Sequence, residues 1–344
     1  MNGSPIANAA LVASAGWYAH RFDPERDLYH LVPAGRDELS AATFLTDVNL
    51  SGHARAVPAA RAATVAAASG RAPVHFLLHS AFCCSTLLAR ALDRPGVALA
   101  LKEPVMLNDI AGWRGRGAPP ARAAEAVDHA LRLLVQPAAR DEAVLVKPSN
   151  LLNPLGPAML ALRPEARAIL LHAPLPTFLA SVASKGLEGR LWVRDLWFKL
   201  LGLGADPFGF TGDELFRHTD LQTAALGWLA QHRGFAELAR RFPDRVRTLS
   251  SAALLADPAR ALGAAARHYG LRWDGAALAE VAAGPLFTRH AKTGEAFGRA
   301  DRDALHRRAA DAHAGEIAAV ERWASIVAEG AGIAFDLPQP LSAP

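Results

Sequence analysis

Residues 79–88 read His-Ser-Ala-Phe-Cys-Cys-Ser-Thr-Leu-Leu and join an apolar run to a helix-forming one. A tight loop between a buried strand and a helix start presents backbone N–H groups and the positive end of the helix dipole, and such a place binds phosphate. Phe82, Cys83, Cys84, Ser85 and Thr86 supply the amides. The hydroxyls of Ser85 and Thr86 either add two donors or simply cap the helix. The GxxxxGK[ST] pattern of nucleotide kinases is absent, since its lysine and both glycines are missing. Downstream stands Lys102-Glu103-Pro104. A carboxylate there can accept a proton if burial raises its basicity, or it can be one half of a surface Lys-Glu pair. Lys147 ends another apolar run, where an ammonium is costly unless it meets an anion.

These residues need elements to hold them. Val74–His79, Val97–Leu101, Ala143–Lys147, Ala166–His172 and Arg245–Leu249 each read as a strand apolar on both faces. Helical stretches lie at Leu87–Leu92, Ala121–Val135, Gly156–Leu162, Pro176–Ala183 and Leu221–Arg241. Strands alternating with helices predict an α/β fold with a parallel sheet covered on both faces. The last third, Ala252–Tyr269, Gly275–Ala283 and Arg302–Ala328, reads as helical. Residues 1–72 form a segment of their own, with apolar patches at Leu11–Tyr18 and Leu28–Val32 and a helix over Pro58–Ala68; it is expected as a cap on a main domain of residues 73–335. Trp192, Trp197, Phe198 and Phe208 form either an apolar wall for a ligand or part of the core.

The chain has 344 residues, enough for one large domain. Its 51% hydrophobic and 20% charged content excludes a disordered chain. A net charge of +4 and only five lysines, with no dense basic run, argue against a nucleic-acid partner. The two cysteines are adjacent, which excludes a disulfide framework, and the cysteine-rich spacings of structural zinc are missing. No apolar stretch of membrane-spanning length occurs, and the N-terminal residues lack the positive leader of a signal peptide. A cytoplasmic location is expected.

The segment Ala81–Leu88 resembles the phosphosulfate loop of PAPS-dependent sulfotransferases, which typically reads Pro-Arg/Lys-Ser-Gly-Thr-Thr-Leu-Leu. (PAPS is 3′-phosphoadenosine 5′-phosphosulfate.) Ser85-Thr86-Leu87-Leu88 keep the pattern, whereas Phe82 stands where the basic residue normally sits, Cys83 for serine and Cys84 for glycine. Lys147-Pro148-Ser149 and Leu162-Arg163-Pro164-Glu165-Ala166-Arg167 are similar to further stretches of the bacterial branch. So are Leu249–Pro258 and His268–Leu271. The resemblance covers roughly residues 73–300.

It implies a P-loop-type three-layer sandwich with a helical C-terminal part. It also implies transfer of a sulfonate from PAPS, without a metal, to a hydroxyl or amine acceptor. Glu103 then takes the place of the base, and Lys147, or Lys102, that of the missing cation. His172 and Ser181 stand where the family holds the nucleotide's 3′-phosphate, with histidine in place of arginine. Arg289 and Lys292 belong to a stretch that resembles its phosphate-closing loop. A non-catalytic nucleotide or phosphoanion binder on the same scaffold is the alternative that Phe82, Cys84 and His172 suggest.

Overall fold

The computed structural model describes residues 4–139, 141–206, 208–288 and 311–341. Its strands are β1 (Trp17–Asp23), β2 (Leu28–Pro33), β3 (Val57–Ala60), β4 (Val74–His79), β5 (Ala98–Lys102), β6 (Ala143–Lys147), β7 (Ala168–His172) and β8 (Val246–Ser250). The last five make one sheet in the order β5-β6-β4-β7-β8, a central parallel sheet with helices between its strands. The fold is α/β. Every residue of β4, β5 and β6 is buried, as expected of strands apolar on both faces.

The chain divides into two compact units. One takes in the chain up to Leu78, Thr86–Ala168 and Ala266–Asp274; the other takes in His79–Ser85, Ile169–Ala265 and the chain from Gly275.

In the first unit, β5 and β6 run parallel with Lys102 opposite Lys147, and β4 pairs parallel with β6. Helices Val105–Gly115 and Pro120–Leu134 bury their apolar faces here; the second starts on a proline, whose fixed φ suits the first turn. Residues 17–60 add an antiparallel sheet in the order β1-β2-β3, which the sequence reading did not foresee. The expected helix over Pro58–Ala68 is shorter, Arg61–Ala67, because Val57–Ala60 pairs with β2 instead. Proline is tolerated at position 58 because β3 is an edge strand. Arg36 anchors the N-terminal part: its guanidinium donates to Glu142 (2.7 Å), Asp93 (3.2 Å) and the Ala98 carbonyl (2.9 Å).

In the second unit, helix Asp220–Arg241 is opened by a capping box of Thr219 and Gln222 and is buried along most of its length. Trp228 on this helix donates its indole N–H to the Ala173 carbonyl at 2.9 Å. Helices Leu175–Ala183, Gly186–Gly202 and Ala314–Gly330 also belong to this unit. The expected helix Ala252–Tyr269 is two, Ser251–Ala256 and Pro258–Tyr269. Proline at 258 keeps Asp257 out of the helical region (φ −142°). The final helix is described over Ala314–Gly330; the part expected from 302 to 310 lies outside the described residues. No helix of the described residues is long and apolar enough to cross a membrane.

Candidate functional site

Among the described residues, six that are not glycine have a left-handed backbone, and four of them are Ala81 (φ 69°), Phe82 (48°), Cys84 (65°) and Glu103 (54°). A side chain in that region costs on the order of 1 kcal/mol or more, and such strain gathers at ligand clamps and active sites. The candidate phosphate loop and the candidate base therefore share a feature that no residue type announced.

In the second unit, the Ser80 N–H donates to the Leu171 carbonyl (3.1 Å), and the Ala173 N–H donates back to Ser80 Oγ (3.3 Å). The Ala81 N–H donates to His79 Nδ1 at 3.1 Å. These bonds pin the start of the loop. Beyond them the left-handed residues at 81, 82 and 84 curl the backbone into the kind of turn whose amides form an anion-binding nest. The loop leads directly into helix Ser85–Leu92. Ser85 and Thr86 are both buried, Cys83 is a buried free thiol and Cys84 a half-buried one.

The Phe82 ring packs between Phe178 (5.8 Å between centroids) and Trp192 (5.2 Å). The Lys185 ammonium lies 5.8 Å from the Phe82 ring centroid. Lys185 was not among the expected site residues. The signal that could have found it is the phenylalanine itself, because a phosphate loop without its own cation calls for one nearby. The four aromatics at 192–208 do not make one wall. Trp197 is buried and packs with Phe208, whereas Phe198 is 76% exposed, since consecutive helix residues point about 100° apart.

His172 ends β7. Its ring meets that of His232 edge-on at 5.0 Å, and its Nδ1 is buried with no hydrogen-bond partner among the described residues. Burial lowers the His172 pKa to about 4, so its ring is neutral at pH 7 and cannot replace an arginine's charge. Ser181 donates its hydroxyl to the Thr177 carbonyl at 2.8 Å, one turn back in its own helix. Arg289 and Lys292 lie outside the described residues.

In the first unit, Lys147 and Glu103 form an ion pair at the carboxyl ends of β6 and β5. The Glu103 N–H donates to the Lys147 carbonyl at 2.6 Å, so main chain and side chain both tie the two together. Lys147 is 1% exposed and Glu103 23%. The ammonium that needed an anion has one, and it also lies 5.5 Å from the Phe44 ring centroid. The carboxylate keeps access to solvent, as a proton acceptor requires.

Lys102 is placed differently. It is fully buried and donates to the carbonyls of Ser40 (2.7 Å) and Leu39 (3.3 Å), with Asp93 at 3.9 Å. Burial lowers its pKa to about 8. Lys102 therefore caps helix Arg36–Ala41, and Lys147 is the lysine beside Glu103.

Burial also lowers the pKa of His75 to about 4, with Arg167 adding to the effect, and that of His232 to about 3, with His172 adding. With His172, all three bind protons more readily unfolded than folded. Their contribution to stability is complete above the unfolded value of 6.5 and is lost as pH falls through the folded values. The urea midpoint is expected to fall steeply from pH 6.5 toward 4; a midpoint constant between pH 7 and 5 contradicts the burial of these rings.

No family model matches the chain, and no curated protein does. Among solved structures, a sulfotransferase domain from the curacin biosynthetic pathway is similar over 78% of this chain and 100% of that one, at 15% identity and a TM-score of 0.41. A likeness so slight carries no argument about chemistry.

Proposed function

We propose that the chain transfers a sulfonate from PAPS to a hydroxyl or amine acceptor. The observation that carries this reading is the loop 81–84, left-handed at Ala81, Phe82 and Cys84, between a buried strand and helix Ser85–Leu92, an arrangement suited to a phosphosulfate. Backbone amides of residues 82–86, with the hydroxyls of Ser85 and Thr86, hold the anion. Lys185 brings a positive charge to the Phe82 ring, where the loop has none of its own. Glu103 takes the acceptor's proton as its oxygen or nitrogen bonds to sulfur. The sulfur–oxygen bond to the phosphate breaks at the same time, and the nucleotide leaves with the electron pair. Lys147 holds Glu103 in position, and its positive charge favours the developing anion. Ser181 reaches a 3′-phosphate only after releasing the Thr177 carbonyl, so Arg289 and Lys292 carry most of that contact in this reading.

The test is release of 4-nitrophenolate from 4-nitrophenyl sulfate by the purified chain with 3′-phosphoadenosine 5′-phosphate (PAP), which runs the transfer backward. Turnover that depends on PAP is expected. If PAP neither stabilises the protein against heat nor supports turnover, the proposal is wrong.

A second reading, a non-catalytic phosphoanion binder, is favoured by the aromatic seat of Phe82 and the neutral His172. Stabilisation by PAP without turnover against any of a panel of phenols and amines selects it.

A further inference from the structure

We propose that His20, Asp47 and His53 bind a divalent first-row metal ion, with zinc the best match to their donor atoms. The site lies wholly within the first unit and is independent of the sulfonate-transfer reading.

It begins with an irregularity. The pairing of β1 with β2 shifts register between Ala19 and Arg21, so His20 is the extra residue of a β-bulge. In a regular strand, consecutive side chains point to opposite faces; a bulge re-aims one of them. Here the result is that His20 and Arg21 both reach the same carboxylate. His20 Nε2 lies 2.6 Å from Asp47 Oδ1, and Arg21 donates to Asp47 Oδ2 at 2.6 Å. His53 Nδ1 lies 3.4 Å from Asp47 Oδ1. One nitrogen or oxygen from each of the three residues falls within 4.8 Å of the others.

Two imidazoles and a carboxylate are an N2O donor set of the kind zinc takes, with at least one further position left for water or a ligand. At bond lengths of about 2.1 Å, neighbouring ligands of a tetrahedral ion stand about 3.4 Å apart. The Asp47–His53 spacing already has that value. The His20–Asp47 spacing has to open by somewhat less than 1 Å, and the Asp47 side chain is 35% exposed and has room to move.

The surroundings fit as well. His20 is fully buried, which fixes its ring, while His53 is 46% exposed and gives an ion a way in. Arg21 also donates twice to Asp109, at 2.9 and 2.8 Å, so one guanidinium sits between two carboxylates and a negative charge is left over. An added cation balances it, and Arg21 becomes the partner that orients the ligating carboxylate. His53, Arg21 and Asp109 line a cavity of about 460 Å³, large enough for a small molecule next to the ion.

The test uses the full chain, stripped with a chelator and titrated with cobalt(II) as a spectroscopic probe and with zinc. The expected result is one cobalt per chain, with visible absorption of a four- or five-coordinate ion that zinc abolishes. His53→Ala replaces a half-exposed residue and leaves the fold intact; it is expected to weaken binding at least tenfold, and Asp47→Asn to do the same. Zinc raises the heat-denaturation midpoint of the parent chain but not that of His53→Ala. Absence of stoichiometric cobalt binding, or equal affinity in the parent and His53→Ala, overturns the proposal.

Discussion

Replacing Glu103 with glutamine is expected to lower sulfonate transfer by about a hundredfold or more while PAP still binds. The amide has nearly the same shape but accepts no proton at neutral pH. Its partner makes a second effect measurable. Lys147 is 1% exposed, and without the carboxylate its ammonium is an uncompensated buried charge. Breaking such a pair from one side costs about 3 kcal/mol, which a urea midpoint reads directly. The double variant Glu103→Gln, Lys147→Met removes the stranded charge, so it should regain stability and not activity. A Glu103→Gln protein with parental turnover removes this residue from the chemistry. One with parental stability shows that the pair is not the buried contact described above.

The second large effect is one of stability. Arg36→Met is expected to cost about 3 kcal/mol, because two buried carboxylates share that guanidinium. Glu142 is 1% exposed and Asp93 4%. Glu142 keeps the amides of Gly96 (2.9 Å) and Ala139 (3.1 Å), and Asp93 keeps Lys102 at 3.9 Å, so the loss is partial. Burial already raises the Asp93 pKa. The control is Arg233→Met. Arg233 pairs with Glu237 one turn on, the two side chains being 44% and 55% exposed, and losing a solvent-screened pair of that kind costs about 1 kcal/mol or less. Equal losses in the two variants would contradict the assignment of Arg36 as the anchor of the N-terminal segment.

The parts of the fold that could be read from the residues are the locally encoded ones. Four strands of the parallel sheet are short, mostly apolar runs, whereas β8 mixes Arg247, Thr248 and Ser250 with Val246 and Leu249; each was expected within a residue or two of where it lies. The antiparallel sheet of residues 17–60 was hidden because β1 mixes Arg21 and Asp23 with apolar residues and carries a bulge, so no clean alternation marks it. Both Lys147 and Lys102 read as strand-end lysines, with Lys147 the first choice for the missing cation and Lys102 the second. Their difference is non-local: one meets the carbonyls of Leu39 and Ser40, the other the carboxylate of Glu103, 44 residues away in sequence. The left-handed backbone at Phe82 and Glu103 was equally hidden, since those residue types seldom adopt it. Phe82 did announce that a cation was missing, but only the folded chain shows Lys185 beside its ring.

The most direct measurement of the central claim is a calorimetric titration of the purified chain with PAP, with adenosine 5′-phosphate and inorganic sulfate as comparisons. A phosphosulfate loop predicts one PAP per chain, with affinity well above that for either comparison ligand and unchanged in Glu103→Gln. No heat with PAP, or equal and weak binding of all three ligands, would contradict it.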